Sequence, residues 1–141
     1  MTITPPDAPV LGTAGFDLSC WPVVRGRSPA GDLAMVEAWI DALTLILDSG
    51  QRFAVVMDMP GTITADAATL TEGRKKVILW MKQRREDLAA RCGGFVYLPA
   101  DPAELEDLAA KTAQVAAAFP FPLHVAPDEA AAFERARSLT H

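Results

Sequence analysis

Asparagine does not occur in this chain, and tyrosine occurs once. Histidine and cysteine are nearly as scarce, at two each: His124 and His141, Cys20 and Cys92. That scarcity excludes a good deal of chemistry. The two cysteines are distant in sequence and match neither a disulfide framework nor a metal or redox spacing, so buried free thiols in a reducing cytoplasm are expected. Zinc would need His and Cys at spacings this chain lacks, and no metal is expected. A Ser-His-Asp triad would have to use His124, and no G-x-S-x-G elbow accompanies it. Neither a G-x-x-x-x-G-K-[ST] nor a G-x-G-x-x-G loop is present, and no cofactor is expected. Long apolar runs are missing too. A stretch such as Leu43 to Leu47 is far too short to span a bilayer, and no signal peptide opens the chain, so stable membrane insertion is not expected. Positive charge is in deficit, 13 Lys and Arg against 18 Asp and Glu for a net −5. That balance argues against nucleic acid as a partner.

What remains is a chain of 141 residues, half of them hydrophobic, enough for one well-buried core. Residues 1–12, with three prolines, read as a loose tail, and residues 13–141 as a single domain. Abundant alanine and arginine without asparagine suggest a GC-rich bacterial gene. Phe16 to Val24 is rich in strand formers, and a short strand over Val10 to Ala14 is expected to pair with it. Leu33, Val36, Ile40, Leu43 and Leu47 recur three and four apart, which predicts a helix over 32–49 stopped by Gly50. Arg52 to Met59 is nearly continuous in apolar residues, the pattern of a strand buried on both faces. A long helix is predicted over 67–91, ended by Gly93-Gly94, then a strand over 95–98. Asp101-Pro102-Ala103-Glu104 is a strong helix start, with a capping acid, a proline at the first position and a glutamate at the third. Pro120 breaks that helix, residues 121–125 make the last strand and 127–139 the last helix. Alternation of this kind predicts an α/β sandwich with a mixed, mostly parallel sheet of four or five strands and about four helices.

Ligands of such sheets bind at the carboxyl ends of the strands, and the loop from Asp58 to Asp66 is one of these ends. Its sequence, Asp58-Met59-Pro60-Gly61-Thr62, resembles the D-x-D-G-T nucleophile motif of haloacid dehalogenase-like phosphatases. Pro60 stands where the general acid belongs and cannot move a proton, so an active or degenerate phosphatase using Asp58 is only a remote alternative. Thr62 and Thr64 fall just ahead of a helix start, where a phosphate would meet unpaired backbone N–H groups; equally, the threonines simply cap the turn. Beyond the loop, charge is uneven. Seven cations (Arg74, Lys75, Lys76, Lys82, Arg84, Arg85, Arg91) face two acids (Glu86, Asp87) between positions 74 and 91, so that segment carries +5 and the remainder −10. A basic helix face of this kind is either solvated or a docking patch, with Arg74, Lys75, Lys82, Arg84 and Arg85 as its partner-facing candidates. Trp39, Trp80, Phe119 and Phe121 either pack in the core or line a pocket for a small apolar ligand.

With these elements in order, the chain resembles the STAS superfamily, which includes anti-sigma-factor antagonists, and within it small stand-alone bacterial members near the CRAL-TRIO-like lipid-binding group. The likeness is carried by "GQRFAVVMDMPG" (50–61), "LWMKQRREDL" (79–88), "CGGFVYL" (92–98) and "FPFPLHVAPDEAAAFERARSL" (119–139), and covers roughly residues 16–139. The resemblance implies a regulatory, non-catalytic domain; the Asp-ended strand, the threonines at a helix start and the local charge excess point to the 60–66 loop and the basic face of the 67–91 helix as its contact with a protein partner. Antagonists of this type carry a phosphorylated Ser or Thr directly after the acid that Asp58 matches, and Met59 occupies that position here. A protein partner is thus expected, with a small apolar ligand or a homodimer as the alternatives.

Overall fold

The structure, a computed structural model, describes residues 16–27, 33–59 and 66–140. The predicted tail, the predicted strand over 10–14 and residues 60–65 lie outside them. Four strands, β1 (Val23–Arg27), β2 (Phe53–Asp58), β3 (Cys92–Leu98) and β4 (Leu123–Val125), form one sheet in the order β1-β2-β3-β4. Every pairing is parallel. Among the described residues five α-helices connect and cover them: α1 (Leu33–Asp48), α2 (Ala67–Gln83), α3 (Arg85–Arg91), α4 (Leu105–Val115) and α5 (Glu129–Ser138). The chain is therefore α/β, as its alternation predicts. The only antiparallel contribution among the described residues is an isolated bridge between Asp17 and Arg25. Phe16 to Val24 is not one strand. The Asp17 carboxylate accepts from the Ser19 N–H and the backbone folds back on itself at Leu18–Trp21 and Cys20–Val23, so β1 begins only at Val23.

β2 explains the central apolar run. Phe53, Val55 and Met57 join the core beneath α1, α2 and α3, while Ala54 and Val56 join a second core beneath α5. Phe53 through Met57 are all at most 1% exposed, and burying each large side chain contributes about 1.5–3 kcal/mol. On α1 the buried residues Val36, Trp39, Leu43, Ile46 and Leu47 follow helical spacing. Gly50, with φ +76°, ends the helix in a conformation that favours glycine. The Asp66 carboxylate starts α2 by accepting the Thr69 N–H at 2.7 Å. Asp101 and Asp128 do the same before the 3₁₀ turn Pro102–Glu104 and before α5.

The predicted helix over 67–91 is in fact two. Arg84, at φ −112° and ψ 22°, leaves helical geometry and separates α2 from α3. Gly93 and Gly94 do not terminate α3 but belong to β3, which starts at Cys92. Among the described residues, no helix is long and apolar enough to cross a membrane.

Of the two thiols expected to be buried, only Cys92 is; Cys20 is exposed. Burial pushes the Cys92 thiol from its usual value near 9 up to about 12. A thiol reagent at pH 8 is therefore expected to modify Cys20 promptly and Cys92 only after denaturation. The same burial sets a pH dependence. An unfolded chain releases the Cys92 proton above about 9 whereas the folded chain holds it to about 12, so this stability contribution is intact below that window and lost as pH rises through it. Burial also raises Tyr97, which acts in the same direction. Denaturant midpoints measured across the alkaline range check the sign.

Candidate functional site

Asp58 closes β2 on the face covered by α5. Arg25, two residues beyond buried Val23, lies on that same face of the neighbouring strand. Its Nε donates to Asp58 Oδ2 at 2.9 Å and its Nη2 to Asp58 Oδ1 at 3.1 Å. The third arm, Nη1, reaches Glu129 Oε1 at the start of α5 at 2.5 Å. The guanidinium also lies 5.9 Å from the Phe133 ring centroid. The hydrogen bonding of Arg25 to Asp58, more than any other influence, raises the Arg25 pKa further above its ordinary value. Both oxygens of Asp58 thus accept from one arginine, and Arg25 ties β1, β2 and α5 together. Neither Arg25 nor Glu129 stood out in the sequence. The usable signal is a charged residue alternating with valine on a covered strand face, which calls for a partner of opposite sign.

Asp66, predicted alongside Asp58, is exposed and caps α2. The Thr69 backbone N–H holds its carboxyl below the usual carboxylate range. Thr62 and Thr64 lie outside the described residues. Among those described, no group of three or more His, Cys, Asp or Glu side chains is arranged to hold a metal ion.

The basic segment divides by direction. Three of its cations turn towards α1. Lys76 Nζ meets Glu37 at 3.1 Å, Arg84 Nη2 meets Asp48 at 2.6 Å as well as its neighbour Asp87, and Arg91 donates to the Leu47 carbonyl at 3.0 Å. Between the first two, the Trp80 indole N–H donates to Thr44 Oγ1 at 2.9 Å. These contacts advance together along both helices, so α1 and α2 run parallel. Arg84, only 24% exposed, is therefore occupied in joining α1 to the α2–α3 break and differs from the other four partner-facing candidates. Arg74, Lys82 and Arg85 are exposed and make no ion pair among the described residues. Lys75 meets Glu72 at 3.5 Å at an exposed site, a contact worth little.

On the outward face of α2, Lys75, Ile78, Leu79 and Lys82 fall at i, i+3, i+4 and i+7 and share one stripe. Ile78 is 42% and Leu79 57% exposed. Leu79 and Trp80 also border an open groove of about 230 Å³ whose other wall is Ile40 and Asp41 of α1. The Glu37–Lys76 pair borders this groove as well. No family model, curated protein or solved structure matches this chain.

The four aromatic candidates do come together, but against one another. Trp39 meets Trp80 at 6.2 Å and Phe95 at 6.3 Å between centroids; Phe95 meets Phe121 at 4.5 Å, and Phe121 meets Phe119 at 5.6 Å. The edge-on and tilted contacts are those of a packed aromatic core. Trp80 is the one of the four that reaches the groove. The buried indole N–H of Trp39 has no hydrogen-bond partner among the described residues.

Proposed function

We propose that this chain is a non-catalytic interaction domain of STAS type, acting in the cytoplasm, that contacts a protein partner through the 60–66 loop and the outward face of α2. The observation that carries the reading is the α2 stripe. Two large apolar side chains stand exposed between two lysines of α2, while Lys76, Arg84 and Arg91 of the same basic segment are turned towards α1. Exposed apolar groups rimmed by charge are typical of contact surfaces. The absence of catalysis is supported by Asp58, whose two oxygens are both engaged by Arg25 and so are poorly placed to attack a substrate. The succession of parallel strands joined by helices agrees with the STAS resemblance without depending on any single motif.

A small apolar ligand is the weaker reading. The aromatic rings that would line its pocket fill the space themselves, and the groove beside them, at about 230 Å³, is smaller than the roughly 300–1,000 Å³ of typical ligand pockets.

Charge reversal at two exposed positions tests the interaction surface. The Lys82→Glu/Arg85→Glu variant is expected to melt with the wild type but to bind the partner recovered by the wild type at least about tenfold more weakly. Quantitative affinity enrichment followed by titration of that partner checks this. Equal affinity for both proteins would remove α2 from the proposed surface.

A further inference from the structure

We infer that the partner segment docking on α2 is an acidic amphipathic helix, an inference that rests on the interaction-domain reading and names its partner. Three features of the surface point to this chemistry. The first is shape. α1 and α2 run parallel and are bridged at Glu37–Lys76 and at Asp48–Arg84. Asp48 lies eleven residues beyond Glu37 on the same helix, about 16 Å of trough, or three turns of an incoming helix. The second is the size of the opening. A groove of about 230 Å³ between Ile40 of α1 and Leu79 and Trp80 of α2 suits one large apolar anchor side chain. Ile78 and Leu79, exposed on the adjoining ridge, would meet further anchors one turn away, the i, i+3 or i+4, i+7 pattern of helices that lie in grooves.

The third feature is charge, and it decides the sign. Lys75 and Lys82 stand one turn before and after the apolar pair, with Arg85 following. Lys82 and Arg85 have no acidic partner among the described residues, and Lys75 has only an exposed one. Carboxylates on the incoming helix at the matching turns would complete these cations. Across the groove the order reverses. Asp41 is exposed and makes no ion pair among the described residues, so a cation on the opposite flank of the incoming helix would fix its orientation. A bilayer is a poorer match, because Glu37 and Asp41 line the α1 side of the groove.

The test uses a displayed library of amphipathic helices with random flanks, selected on the full chain and titrated as purified peptides. The expected result is enrichment of apolar stripes flanked by Asp and Glu, with affinity falling as salt rises. Leu79→Asp and, separately, Lys75→Glu/Lys82→Glu should each weaken those peptides at least about tenfold. All three positions are exposed, and an unchanged melting temperature shows that folding survives. Enriched helices without acidic flanks would overturn the inference, as would acidic helices that bind both variants as well as the wild type. In either case the interaction-domain reading stands and the contact lies elsewhere. Failure to enrich any helix would overturn the inference and count against that reading too. Two further arms exclude other occupants. Pelleting with phosphatidylcholine–phosphatidylserine vesicles that depends on Leu79, or self-association abolished by either variant, would assign the surface to a membrane or to a second copy and overturn the inference.

Discussion

Gly93→Ala is expected to destabilise the domain by about 3 kcal/mol, although it adds a single methyl group. A Cβ at Gly93 would overlap the Leu139 carbonyl oxygen and sit 2.8 Å from its carbon and 3.1 Å from Leu139 Cβ. Leu139 caps the end of α5 and its carbonyl accepts from Arg52 Nε at 3.2 Å. Because the obstacle is backbone, no rotamer change relieves it, and the end of α5 must lift from β3. That movement opens the second core, where Ala132 and Ala136, both 0% exposed, meet Val23, Val56 and Val96. Overpacking costs about 1–3 kcal/mol where side chains can shift, and sometimes more, so the upper end applies here. For a chain of this size the melting temperature should fall by about 10 °C. Gly50→Ala is the control. Unlike Gly93, Gly50 has a positive φ, and nothing lies within 4 Å of its added Cβ, so its cost should be about 1 kcal/mol from backbone strain alone. Calorimetric melts of the two variants separate collision from strain. Equal and small losses would mean that α5 is not held against β3 as closely as described.

The same glycines show where sequence reading stopped. Gly93-Gly94 after an apolar helical stretch reads as a helix stop, because local propensity offers no other reason for two glycines. Their actual role is close approach: a Cβ on Gly93 meets Leu139, and one on Gly94 lies 2.7 Å from the Pro122 carbonyl oxygen. Both contacts come from residues far along the chain. The break at Arg84 was equally hidden, since "QRRED" contains no helix breaker. Its side chain is fixed by Asp48 on α1 and by Asp87, and the first of these contacts is 36 residues away. By contrast α1, β2 and the Asp101-Pro102 start were legible, because periodicity, two-sided burial and capping are local properties. For the site, sequence placed Asp58 at a strand end and found the basic helix. It could not sort the cations into inward and outward ones, because that depends on which flank of α2 meets α1. Nor could it supply Arg25, 33 residues from Asp58, or Glu129, 104 residues from Arg25.

That hidden triad carries the second large effect. Arg25→Met keeps much of the aliphatic reach beside Phe133 but removes all three hydrogen bonds, leaving the Asp58 and Glu129 carboxylates around the space the guanidinium filled. Breaking a buried pair costs about 3–5 kcal/mol and a fully exposed one about 0–1. Arg25 and Asp58 are 32% and 34% exposed, so partial hydration places the expected loss near 2 kcal/mol, reduced further in high salt. Double-mutant cycles divide it. Coupling of Arg25 to Asp58, through two donors to two oxygens, should be about 1 kcal/mol with Asp58→Asn. Coupling to Glu129, whose side chain is 64% exposed, should be close to zero with Glu129→Gln. Urea unfolding of the singles and doubles measures both. The order matters for function as well as stability. A carboxylate whose two oxygens are strongly coupled to an arginine is a tie between strands and has little nucleophilic capacity to spare. Coupling near zero in both cycles would instead leave Asp58 available at the carboxyl end of a parallel strand, where a substrate would meet it, and would restore β2 as a reactive site.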